Sequence, residues 1–141
     1  MISKFDIINA SAGSGKTFAL TKRILTKILK SKDENYFKRI LALTFTNRAA
    51  DEMKSRILKN LKDFSESQIK DSPTEMFEQV KKELALSSDK IIILAKERLN
   101  LLLHNYSFFQ IETLDSFNPV SYTHLRAHET RHDLVCRLLL E

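Results

Sequence analysis

The sequence predicts an α/β fold, a parallel sheet with flanking helices and a helical insertion. Strand-length apolar runs alternate along the chain with segments whose apolar residues recur at helical spacing. The runs are apolar nearly throughout, as strands covered on both faces require. Both glycines of the chain, Gly13 and Gly15, fall in one turn between the first apolar run and the first helical segment. A strand, helix, strand, helix order of this kind places successive strands parallel and joins them by helical crossovers.

The elements follow in order. Phe5-Asp-Ile-Ile-Asn-Ala10 reads as a buried strand feeding a turn. From Lys16 to about Lys32, Leu20, Ile24 and Ile28 with Leu25 and Leu29 mark one helix face, separated by Lys22, Arg23, Lys27 and Lys30. Arg39-Ile-Leu-Ala-Leu-Thr-Phe45 is a second strand, with Asn47 the expected N-cap of a helix buried through Ala50, Met53, Ile57 and Leu61. The polar, lysine-rich stretch 65–87 breaks at Asp71-Ser-Pro73, after which Thr74 caps a surface helix. Ile91, Ala95, Leu99 and Leu102 predict a helix over 91–103, although Ile91 to Leu94 alone would serve as a strand. The helical insertion thus spans about 62–105. Phe108-Phe-Gln-Ile-Glu-Thr113 reads as a third strand. All three strands are expected to lie parallel in one sheet, with ligand-binding turns at their carboxyl ends.

Composition narrows the class. Hydrophobic residues at 43% and charged residues at 29% describe a soluble globular protein, and 141 residues bury one modest core, a single domain or a piece of a larger one. There is no apolar run of membrane-spanning length and no signal-peptide stretch, so a cytoplasmic location without a membrane partner is expected. Cys136, the single cysteine, has no internal partner for a disulfide. A net charge of +5 permits a polyanionic partner without demanding one.

Ala10-Ser-Ala-Gly-Ser-Gly-Lys-Thr17 matches the phosphate-loop pattern, with Ala10 where glycine is usual. Glycines let the backbone curl so that several N–H groups point at phosphate oxygens, and the following helix offers its positive end. Ala10, Ser11, Ala12, Gly13, Ser14, Gly15, Lys16 and Thr17 are therefore the candidate ATP-binding residues. Lys16 would reach the β and γ oxygens, and the Thr17 hydroxyl would meet the Mg2+ that accompanies ATP. These two are the candidate catalytic positions.

Two further segments resemble a known family. Leu43-Thr-Phe-Thr-Asn-Arg-Ala-Ala-Asp-Glu-Met53 resembles the motif that follows the phosphate loop in superfamily 1 helicases of the UvrD/Rep group, and Ile111-Glu-Thr-Leu-Asp-Ser-Phe117 resembles the next one. Ile8-Asn-Ala-Ser-Ala-Gly-Ser-Gly-Lys-Thr-Phe18 looks most like the RecB/AddA branch. The resemblance implies a P-loop NTPase (RecA-like) motor domain, present in part over residues 1–119. Its parent would be an ATP-dependent DNA helicase or helicase-nuclease subunit of repair and recombination, and this chain its front. The resemblance implies contacts to single-stranded DNA from Phe45, Thr46, Asn47, Thr113, Ser116 and Phe117. It also implies that the missing remainder of the motor, and nuclease-complex subunits, are partners. Asp115 stands where many relatives have histidine, and a carboxylate there repels phosphate. Hydrolysis in the family needs an acidic pair on a later strand and arginines from a second motor domain. Neither is present, since Asp51-Glu52 falls in a helix and Asp33-Glu34 in a loop, so the parent is expected to be the enzyme and this fragment inactive. The alternatives are another P-loop enzyme such as a small kinase, or a non-catalytic nucleotide- or DNA-binding module.

The last segment differs in composition. Residues 120–141 carry Arg126, Arg131 and Arg137 but no lysine, and hold His124, His128, His132 and Cys136. The histidines, spaced to share one helix face, would suit a metal. Val120-Ser-Tyr-Thr-His-Leu-Arg-Ala-His-Glu-Thr130, however, resembles a translated transposase end joined to a sequencing adapter. On that reading 120–141 is a non-native tail that makes few stable contacts.

Overall fold

The computed structural model describes residues 15–116 together with the backbone of 139–140. The strand expected over residues 5–10 and the histidines of the last segment lie outside the described residues. Within them run α1 (Lys16–Lys30), β1 (Leu41–Thr44), α2 (Asn47–Ser65), α3 (Glu75–Leu84), α4 (Ser88–His104), β2 (Gln110–Thr113) and β3 (Leu139–Leu140), with short 3-10 turns at Tyr36–Arg39, Ser67–Lys70 and Tyr106–Phe108. The chain is mostly helical, and its small sheet is ordered β2-β1-β3.

The sheet is parallel throughout. Leu41 pairs with Gln110, Ala42 with Ile111, Leu43 with Glu112 and Thr44 with Thr113. On the other side of β1, Leu43 and Thr44 pair with Leu139 and Leu140. This pairing involves two residues of the segment expected to make few contacts. All four residues of β1 are buried, whereas β2 alternates, with Gln110 exposed and Ile111 and Thr113 buried.

Both described strands begin later than their apolar runs predicted. Ahead of β1, Ser31 Oγ accepts from Asp33 N–H at 3.1 Å and Asp33 Oδ1 accepts from Asn35 N–H at 3.0 Å. These side-chain bonds compact the link, and the 3-10 turn that follows sinks Phe37 into the core. Arg39 therefore belongs to the turn and not to the strand. Ahead of β2, Tyr106–Phe108 forms a second 3-10 turn, so Phe108 is not a strand residue. Phe109, next to it, is buried.

The helices cover the sheet through the faces their periodicity predicts. Leu20, Ile24, Leu25, Ile28 and Leu29 of α1 join Ala50, Met53, Ile57, Leu61 and Phe64 of α2 in one core with Ala42 and Ile111. Residues 75–104 contribute to the same core. Met76, Phe77 and Val80 of α3 and Ile91, Ala95 and Leu102 of α4 are all buried in it. Phe64 and Phe77 meet edge to face, with ring centroids 5.2 Å apart. Thr74 caps α3 as expected, its Oγ1 accepting from Phe77 N–H at 3.2 Å. One charged side chain is buried among these helices. Arg98 of α4, 4% exposed, donates from Nη2 to the Ser31 carbonyl at 3.1 Å, where α1 ends. That bond ties the end of α1 to the second half of α4, which leads into the amino end of β2. Each of the two helices runs into a link that leads to the amino end of a strand, α1 to β1 and α4 to β2.

Phe64→Ala removes a fully buried ring from the contact between α2 and α3, and about 3–5 kcal/mol of stability should be lost. Thr74→Ala, which deletes only a cap, should cost about 1 kcal/mol. Urea denaturation of the two variants alongside the parent chain measures both, and equal losses would contradict this account of the core.

Candidate functional site

The register of β1 against β2 fixes the site. Thr44 and Thr113 are direct partners at the carboxyl ends of parallel strands, so the turns that follow them emerge side by side. Both threonines are buried, and both hydroxyls hold the turn beyond the strand. Thr44 Oγ1 donates to the Thr46 carbonyl at 2.9 Å. Thr113 Oγ1 accepts from Ser116 N–H at 3.2 Å and lies 2.9 Å from Ser116 Oγ, capping the helical turn 114–116.

The side chains beyond these threonines face outward. Phe45 is 53% exposed, although a phenyl ring at the end of a buried strand ordinarily turns inward. Thr46, Asn47, Arg48, Asp115 and Ser116 are exposed as well. Thr113, by contrast, is only 5% exposed, and its hydroxyl serves Ser116. Phe117 lies outside the described residues.

The helix cap is one residue earlier than predicted. Thr46, not Asn47, is the N-cap of α2. Its backbone is extended and its Oγ1 accepts from Ala49 N–H at 3.1 Å. Asn47 is the first helical residue and is exposed. The threonine wins because the bond from Thr44 to the Thr46 carbonyl already holds that residue in the extended conformation a cap needs.

Of the phosphate-loop residues, Ala10, Ser11, Ala12, Gly13 and Ser14 lie outside the described residues. Gly15 is the N-cap of α1 with φ of 81°, a left-handed conformation that a side chain resists. Lys16 and Thr17 form the first turn of α1 and are partly exposed. One turn on, Thr21 Oγ1 donates to the Thr17 carbonyl at 2.7 Å, a back-bond that leaves the Thr17 hydroxyl uncommitted to it. The first turns of α1 and α2 contain no acidic residue, whereas those of α3 and α4 carry Glu75, Glu78 and Asp89. Acids ordinarily stabilise a helix start. The positive ends of α1 and α2 therefore carry no acidic residue in their own first turns.

Sequence reasoning passed over one contributor. Arg48 is exposed on the first turn of α2, and its signal lay within the Thr-Asn-Arg run itself. Thr44, expected at the strand end, sets the conformation of the Thr46 turn. Among the described residues no group of three His, Cys, Asp or Glu side chains could hold a metal ion, and no helix is long and apolar enough to cross a membrane.

Two strand-end turns emerge side by side from a parallel sheet, and one of them opens directly into α2. The family model for the UvrD/REP helicase N-terminal domain matches residues 3–133, and the chain belongs to that family. The chain is similar to ATP-dependent helicase/nuclease subunits of the A type. It is 32% identical over 100 residues to that of Exiguobacterium sibiricum, covering 71% of this chain and 8% of the relative. It is 48% identical over 60 residues to that of Latilactobacillus sakei, covering 43% and 6%, and 49% identical over 51 residues to that of Bacillus mycoides, covering 36% and 4%. The chain therefore spans less than a tenth of the length of these relatives. Similarity to the A type agrees with the AddA side of the branch that the loop sequence resembles. No solved structure gives a significant match.

Gly15→Ala isolates the backbone requirement at the start of α1. A Cβ there meets nothing within 4 Å, so steric crowding contributes nothing and the left-handed φ alone sets the penalty. A loss of about 1–2 kcal/mol is expected. Thermal unfolding of the variant checks it, and an unchanged midpoint would show that α1 does not start on a left-handed residue.

Proposed function

We propose that the chain is the nucleotide-binding front of an ATP-dependent DNA helicase or helicase-nuclease subunit, with a P-loop NTPase motor domain present in part over residues 1–119. The observation that carries the reading is the register of Thr44 with Thr113. It brings two motif turns to one sheet edge, and the phosphate loop that leads into α1 would join them there, so nucleotide and strand would be held by neighbouring turns of one sheet.

In this reading Ala10 to Thr17 wrap the phosphates of ATP with backbone N–H groups, and the amino end of α1 contributes its partial positive charge. The Lys16 ammonium would neutralise the outer phosphate oxygens, and the Thr17 hydroxyl would ligate Mg2+. Bound ATP with Mg2+ supplies the phosphoanhydride whose hydrolysis drives the parent motor. Asp51 and Glu52 are exposed on α2, and Asp33 and Glu34 sit in the link after α1, so no Asp-Glu pair stands at a strand end among the described residues. Binding without turnover follows for the fragment.

Single-stranded DNA would meet the adjoining turns. The exposed ring of Phe45 offers a stacking face, and Asn47, Arg48 and the amino end of α2 offer donors for phosphate oxygens. Ser116 would join them, positioned by Thr113 and not assisted by direct contact from Thr113 itself. Asp115, exposed beside Ser116, discourages phosphate at that point and confines the contact to its neighbours. The remainder of the motor and nuclease-complex subunits would complete the assembly.

Calorimetric titration with Mg·ATP tests the reading. Lys16→Ala should abolish binding, and Thr17→Ala should remove its dependence on Mg2+ while leaving weak metal-free binding. Steady-state assays should find no ATP hydrolysis above background in the 141-residue chain. If Lys16→Ala binds as the parent does, the phosphate-loop assignment is wrong.

A further inference from the structure

The opposite edge of the sheet carries a second unusual surface. The two 3-10 turns that lead into the amino ends of β1 and β2 lie side by side, because the strands are parallel and Leu41 pairs with Gln110. Phe37 and Phe109 in these segments are buried, as packing requires. Tyr106 and Phe108 are turned out instead, 43% and 54% exposed. The contrast between Phe108 and its neighbour Phe109 shows that the core takes one ring and leaves the other in water.

Each exposed ring is accompanied by a lysine from another element. Lys38 Nζ stands 5.0 Å from the centroid of Phe108, and Lys54 Nζ of α2 stands 5.7 Å from that of Tyr106. Neither lysine takes part in the ion pairs formed among the described residues, while Arg39 in the same turn is paired with Asp33 at 3.3 Å. An ammonium over a solvent-exposed ring is held only weakly, so both groups remain open to a better partner.

We infer that Tyr106 and Phe108 with Lys38 and Lys54 form a second, sequence-independent contact for single-stranded nucleic acid, on the amino edge of the sheet. Stacking rings interleaved with cations free of carboxylates match a strand that presents bases and phosphates in alternation. The core of a protein interface, by contrast, is depleted in lysine. The surface is separate from the turns at Phe45 and Ser116. The four residues of β1 hold the two edges about 13 Å apart, so neither contact depends on the other. The inference shares its class of partner with the proposed function but not its residues.

The test uses the 141-residue chain and a fluorescent oligothymidylate of about twenty nucleotides, long enough to span one binding groove. The double variant Tyr106→Ala with Phe108→Ala should bind about tenfold more weakly by anisotropy, and Tyr106→Phe should bind as the parent does. Lys38→Gln with Lys54→Gln should flatten the dependence of log K on log salt by about one to one and a half. Photocross-linking of the unsubstituted chain to the iodouracil-containing oligonucleotide should give adducts at Tyr106 or Phe108, a readout that no folding defect affects. Adducts confined to residues 45–48 and 114–117 would overturn the inference while sparing the proposed carboxyl-edge contact. Loss of binding in Phe45→Ala with adducts at Phe45 alone would do the same. Unchanged DNA binding in the alanine pair, with sedimentation showing that it abolishes a dimer, would assign the patch to association between copies.

Discussion

The parallel pairing of β1 with β2 is the constraint on which the rest depends. Two four-residue strands separated by a long helical crossover cannot find each other through local turns. The intervening helices have to bury enough surface to make the crossover worth its loop-closure entropy. They do so by sharing one core, in which α3 and α4 pack with α1 and α2 and do not stand apart from them. Once Thr44 and Thr113 are opposite one another, the position of every exposed group near the sheet follows: Phe45, Asn47 and Ser116 at one edge, Tyr106, Phe108 and Lys38 at the other. A slip of one residue would turn these threonines to the opposite face and release both turns.

What was legible in the sequence was the part governed by periodicity and by glycine. The buried face of each helix followed from residues such as Ile24, Ile57 and Leu102, and the left-handed cap at Gly15 from its place between apolar run and helix. The errors came where a local side-chain bond competes with the backbone pattern. Asn47 looked like a cap because asparagine caps well, but the bond from Thr44 decides for Thr46. Arg39 and Phe108 looked like strand residues because the apolar runs include them, but Asp33 and the turn at Tyr106 draw the chain into 3-10 geometry first. Arg98 was invisible for a different reason. An arginine among apolar residues of an amphipathic helix reads as solvated, and only the position of the Ser31 carbonyl makes its burial intelligible.

The polar residues at the sheet edge divide into those that hold and those that are held. Thr44 and Thr113 are spent on the backbone, and the same hydrogen bonds that bury them leave Phe45, Asn47 and Ser116 turned to solvent. A motif of threonine followed by exposed aromatic or polar residues is thus two devices in one segment. A substitution in the first kind of residue should disturb geometry, whereas one in the second should disturb contact alone. This is why the buried Thr113 belongs with the scaffold even though it lies in a motif proposed to contact DNA.

Electrostatics gives the same division at the scale of helices. An acidic first turn is worth a few tenths of a kcal/mol to about one, and α3 and α4 take that stabilisation through Glu75, Glu78 and Asp89. Helices α1 and α2 forgo it, and both place basic residues in the last turn, Lys27 and Lys30 in one and Lys62 in the other. Their dipoles are therefore compensated at the carboxyl terminus and uncompensated at the amino terminus. A fold selected for stability alone would have no reason to treat the two pairs of helices differently. The positive amino terminus left on α2 lies beside the strand-end turns, and the one left on α1 follows the only two glycines in the chain, where a phosphate would supply the missing charge.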